Sequence, residues 1–140
     1  MKVKHRCSPE DEAFAEAFER CRVAATDFGH EAHVRLAYVY LCGQSPEDAH
    51  QAMKAALLAF LDHLAVGRSK YHETMTHAWI MAISHFMDRS APCADFAEFS
   101  QRNPELLDPA IMLTHYSGRT LFSDEARNRV IEPDIDPIPR

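Results

Sequence analysis

Glycine is scarce in this chain, at 4 of 140 residues, and proline is modest at 8. That composition argues against a turn-rich all-β design. Long apolar runs are missing too. The longest, such as Ala55 to Leu61, falls far short of the length that spans a bilayer. A basic excess is absent: 21 acidic residues oppose 15 basic ones, for a net charge of −6. No stripe of cations interleaved with aromatics exists to track a phosphate backbone, which excludes a nucleic-acid role. The segment Met1 to Arg6 is basic, but no apolar stretch follows it, so a secretory leader is not expected. Cys7, Cys21, Cys42 and Cys93 include no pair spaced by two residues, so neither a zinc knuckle nor a redox motif is spelled out. Reduced thiols in the cytoplasm are the expectation.

What remains is 46 % apolar and 26 % charged residues, enough for one soluble globular domain. Ser8-Pro9-Glu10-Asp11 and Ser45-Pro46-Glu47-Asp48 both read as helix starts. Serine caps, proline fits the first turn, and acids suit the positive helix end. Phe14, Phe18 and Cys21 stripe the first helix. A second runs from about His30 to Cys42, with Ala37, Tyr40 and Leu41 inward and Gly43 as its stop. A third carries Ala49, Met53, Ala56, Leu57, Phe60, Leu61 and Leu64 and ends before Gly67; a fourth covers about Tyr71 to Asp88. Asp95 to Gln101, Pro109 to Tyr116 and Ser123 to Arg127 allow shorter helical pieces. From Val130, prolines alternate with acids and isoleucine, a pattern that lies along the body or stays loose. The expected fold is all-α: one domain over residues 1–140, a bundle of four to five helices. It has a flexible N-terminus at residues 1–7 and an extended Pro-rich arm at residues 130–140.

Histidine is the unusual entry, at 9 residues. Two helix starts hold the notable ones: Phe28-Gly29-His30-Glu31-Ala32-His33 and Lys70-Tyr71-His72-Glu73-Thr74-Met75-Thr76-His77. His30 and His33 are three apart, so they share a helix side. They continue the Ala37 and Leu41 stripe inward. A helix N-terminus and burial both disfavour an imidazolium, so these rings should be neutral, the metal-binding form. If the second and fourth helices are neighbours, His30, His33, His72 and Glu73 can hold a divalent transition metal such as Zn, Fe, Mn, Ni or Cu. With open positions, that metal would activate water or dioxygen or polarise a carbonyl of a small-molecule substrate, in a hydrolase or oxygenase type of reaction. Glu73, Tyr71 and Thr74 are the catalytic candidates, and Lys70 and Thr76 can orient substrate. His77 can replace His72 or Glu73, and His115 can reach the same site.

The competing reading is a non-catalytic module that binds a small molecule or a protein, with the same residues as a buried His/Glu polar network. Other patterns are weaker. Glu47-Asp48-Ala49-His50 supplies one half of a di-iron motif without its partner, and reads as a solvated first turn. Cys42 sits at the negative end of its helix, which disfavours a thiolate. His5, His63 and His85 have no partner legible in the sequence.

Phe28-Gly29-His30, His33-Val34-Arg35-Leu36-Ala37, Tyr71-His72-Glu73-Thr74, Asn103-Pro104-Glu105-Leu106-Leu107, Ser123 to Arg127 and Glu132-Pro133-Asp134 follow one another along the chain. In this order the segments resemble a family of small helical bacterial proteins of unknown function, over about residues 14 to 139. The resemblance implies histidines at His30, His33 and His72 and an acid at Glu73. It implies a tyrosine where this chain has His115. It brings no established activity.

Overall fold

The computed structural model describes residues Lys4 to Pro139 and is all-helical. Seven α-helices are found among the described residues: α1 (Pro9–Glu19), α2 (His30–Gly43), α3 (Pro46–Leu64), α4 (Glu73–Arg89), α5 (Phe96–Arg102), α6 (Gly118–Leu121) and α7 (Asp124–Asn128). Short 3-10 turns join them at Ala25–Asp27, Arg68–Lys70, Pro104–Leu107 and Pro109–Thr114. No helix of the described residues is long and apolar enough to cross a membrane.

The two serine-proline starts do what their chemistry dictates. Ser8 accepts from Asp11 N while Asp11 returns the bond to Ser8 N, a reciprocal capping box. Ser45 accepts from Asp48 N. Helix α3 ends with Ala65 in the left-handed region (φ 56°), and Gly67 (φ 87°) completes the turn.

Helix α2 is the centre of the bundle, packed by α1, α3, α4 and α5. Surrounded in this way, it buries Val34, Leu36, Ala37, Tyr38 and Tyr40, more of its circumference than the single inward stripe its sequence suggests. The main core adds Phe18, Phe60, Ile80, Ile83, Phe96 and Phe99. Phe18, Phe28 and Phe60 stack within it. A second, smaller core joins Ala78 of α4 to Met112, Tyr116 and Leu121, so α4 lies between the two.

Asp11 ties three helices together. One carboxylate oxygen accepts from Arg35 of α2 at 2.9 Å, and the other accepts from the Phe96 amide at the start of α5 at 3.0 Å. Burial alone would raise its pKa, but the Phe96 and Ser8 amides and Arg35 outweigh it and hold the carboxyl below its usual range.

The described part of the N-terminal segment contacts the core. His5 is buried, with one ring nitrogen 2.6 Å from Met87 O and the other accepting from Cys93 N. Arg6 N donates to Cys93 O, and the Tyr38 hydroxyl donates to Arg6 O at 2.7 Å. Residues 1–3 lie outside the described residues, as does Arg140 of the predicted arm. Among the described residues after Val130 no helix or strand forms. Ile135 N and Asp136 N both donate to His115 O, and Asp134 accepts from Ser117 and Thr120.

Candidate functional site

Helices α2 and α4 are neighbours, as the proposed constellation requires, but their register keeps its members apart. His30 opens α2 and packs edge-on against Trp79, ring centroids 4.6 Å apart. Trp79 lies six residues beyond Glu73 along α4, roughly 9 Å at the helical rise. The His30 ring donates from Nε2 to Leu106 O at 2.9 Å. His33 packs on Phe28 at 4.2 Å. Burial, then the neighbouring His30, lowers its pKa to about 4. The ring is neutral at pH 7, as its position predicts.

His72 is used up by the fold. It caps α4, its Nδ1 accepting from Met75 N at 3.0 Å. Nε2 then carries the proton and donates to Leu121 O at 2.6 Å. Burial keeps this imidazole below its usual pKa, and Arg127 adds to that. No lone pair is left for a metal.

Glu73 turns toward α3 rather than α2. Its Oε1 accepts from the Tyr71 hydroxyl at 2.6 Å and from His50 Nε2 at 3.0 Å, and its Oε2 accepts from Lys54 at 2.8 Å. The side chain is 14 % exposed. Burial pushes its pKa up, but Lys54, Tyr71 and His50 together overcome that and hold it below the ordinary carboxylate value. Tyr71 moves the other way: burial first, then the Glu73 anion, raise it far above its usual value. It is a neutral donor.

The four expected ligands therefore do not form one set. Among the described residues no group of three or more His, Cys, Asp or Glu side chains is placed to hold a metal ion. Thr74 is fully buried, its hydroxyl donating to Arg129 O at 2.7 Å and accepting from Ile131 N at 3.0 Å. It anchors the C-terminal segment and does not face a cavity. Thr76 donates its hydroxyl to His72 O within α4, and Lys70 is exposed. His115 donates from Nδ1 to Asp136 O and holds the same C-terminal segment.

Two residues that sequence reasoning passed over complete the network. His50, expected to be solvated, is buried, and its ring meets that of His77 edge-on at 5.2 Å. Lys54 follows it by one turn on the same face of α3. That i, i+4 pair at the edge of an apolar stripe was the one available signal.

The Glu73 network forms a wall of a cleft of about 360 Å³ between α3, α4 and α7. Lys54, Arg68, Tyr71, Glu73, Asp124 and Arg127 line it. Three cations face two carboxylates there, and Lys54 already partners Glu73. Arg68 grips Asp62 through two bonds at the rim, and Arg127 donates to Ser69 O. A wider, open groove of about 1240 Å³ runs past His30, Arg35 and Phe96. Its central charges, Asp11 and Arg35, are already paired.

Compared with family models, curated proteins and solved structures, the chain matches none.

Proposed function

We propose that this chain is a non-catalytic helical binding module, located in the cytoplasm, whose ligand is a small molecule bearing an anionic group. The ligand enters the cleft between α3, α4 and α7. One observation carries this reading: Glu73 stands on the cleft wall with both oxygens satisfied, fixing Lys54 and Tyr71 beside it. A general base needs a free lone pair and a pKa near the working pH. Glu73 already accepts three bonds on its roughly four lone-pair sites and its pKa is held below the ordinary carboxylate value, so it is a better positioner of its neighbours than a base. Lys54 has three donors and gives one to Glu73, which leaves donors for a carboxylate or phosphate. Arg127 supplies a second cationic contact across the cleft. The volume lies near the lower end of the range for small-molecule sites. Four free cysteines suit a reducing compartment. The segment from residue 130 braces α4 through Ile131 N, which donates to the Thr74 hydroxyl.

The test is calorimetric titration with inorganic phosphate and a panel of short mono- and dicarboxylates, on the wild type and on Arg127→Gln and Lys54→Gln. Saturable binding, weakened about tenfold or more in each variant, supports the reading (loss of one charge-assisted contact). Equal binding in all three proteins, or none to any probe, overturns it. Elemental analysis of the purified protein runs beside it. One equivalent of a transition metal, lost in His33→Ala, would replace this reading with the metal-dependent one.

A further inference from the structure

Pairing inside the protein leaves the cleft between α3, α4 and α7 with one charge of each sign. Glu73 neutralises Lys54 at 2.8 Å, and Asp62 neutralises Arg68 at 2.8 Å. Two opposite charges on the lining then remain, Arg127 and Asp124, both on α7. They stand three residues apart, so their Cβ atoms are roughly 5–6 Å from each other on one helix side. Arg127 nonetheless reaches away from α7 to the Arg68–Lys70 turn, where it donates to Ser69 O at 3.2 Å. Asp124 is exposed, and its backbone carbonyl accepts from Asn128. Among the described residues, no hydrogen bond or ion pair reaches the Asp124 carboxylate.

We propose that the ligand of this cleft is a zwitterion, an α-amino acid whose carboxylate takes Arg127 and Lys54 and whose ammonium takes Asp124. This rests on the anion-binding reading above and narrows it to one ligand class. Charge balance carries it. A simple carboxylate would answer Arg127 and leave Asp124 facing a second anion. An ammonium on the same ligand turns that repulsion into attraction. The donors are there: Arg127 has five N–H groups and gives one to Ser69 O, and Lys54 keeps two after its bond to Glu73. Two charges one helical turn apart suit a ligand that carries both of its own on one carbon, and a longer ω-amino acid would overreach them. Leu58 of α3 and the Tyr71 ring, 5.9 Å from Lys54 Nζ, give the ligand's side chain an apolar wall. The cleft volume of about 360 Å³ limits the ligand to a small molecule.

The experiment titrates the chain with L-alanine and L-leucine, with their deaminated analogues propionate and 4-methylpentanoate, and with inorganic phosphate. The amide NMR shifts of Asp124, Arg127 and Asn128 report binding. In the wild type each amino acid should bind about tenfold or more tighter than its analogue, the effect of one added charge-assisted contact. Asp124→Asn should bring the amino acid down to the affinity of its analogue. Because the Asp124 side chain is exposed and bonds to nothing in the fold, this variant should unfold at the wild-type urea midpoint. Saturable binding of amino acid and analogue with equal affinity would overturn the zwitterion and leave the anion-binding reading standing. A preference that survives in Asp124→Asn would overturn the role given to that carboxylate. A response to phosphate but to none of the other four probes would also sink the zwitterion alone. No response to any anion would overturn both readings.

Discussion

Acidification reads out His33 directly. Its pKa is about 4 in the fold against ~6.5 in an unfolded chain. Below ~6.5 the unfolded state takes up a proton that the native state refuses, so stability falls as pH falls toward 4 and then levels off. By linkage the native state loses about 2 kcal/mol between pH 7 and pH 5, and about 3 kcal/mol by pH 4. His72 is depressed as well and contributes with the same sign. The effect of His33 is therefore isolated by subtraction, as the difference in pH slope between wild type and His33→Gln. Asp11 and Glu73, whose pKa values are lowered, begin to lose their contributions only nearer pH 4, which leaves pH 5 to 7 to the histidines. Urea unfolding followed by circular dichroism at several pH values measures the slope, and proton NMR of the ring measures the pKa. A His33 ring that titrates near 6.5 in the folded protein would refute the reasoning. Parallel loss of stability in wild type and variant would do the same.

Two further perturbations separate structural from chemical roles in the first turns of α4. Thr74→Val keeps the shape but leaves Arg129 O and Ile131 N without their partner. It should cost about 2 kcal/mol and accelerate amide exchange at Ile131; unchanged exchange there would show that the C-terminal segment is held by other contacts. His72→Ala removes a cap and the bond to Leu121 O, together about 2 kcal/mol. His72→Asn can still cap and should recover about half. Equal urea midpoints for the two variants would contradict the capping role.

The helices were legible because their signals are local. Ser8 and Ser45 sit where a serine must sit to bond the third amide of a helix, and Pro9 and Pro46 follow at a position that needs no N–H. The neutrality of His33 was legible from its inward position: burial is the largest cause, and His30, three residues away, adds to it. The joining of sites was not. Periodicity places His30 and His72 on inward faces, but it does not say that α2 begins opposite Trp79 rather than opposite Glu73. Nor does it say that Glu73 turns to α3, where Lys54 and His50 join Tyr71 in bonding it. Where the non-helical N-terminal segment crosses α2 is settled by His5 and Arg6 through bonds to Met87, Cys93 and Tyr38. No spacing rule encodes it.

In the first turn of α4, fold and chemistry draw on the same groups, and this favours the proposed binding role over catalysis. His72 spends both nitrogens, Glu73 both oxygens and Thr74 its hydroxyl in holding neighbouring elements. Proton abstraction by Glu73 would protonate a carboxylate that already accepts from Lys54, Tyr71 and His50 and would weaken those bonds, a cost of about 1 kcal/mol or more. Binding asks for no such release. The Lys54 side chain is 37 % exposed, so a ligand anion can reach its remaining donors while the bond to Glu73 stays in place. The carboxylate that would be a poor base is thus a good anchor: by holding Lys54 at the cleft wall in the unliganded state, it removes part of the ordering entropy that binding would otherwise cost.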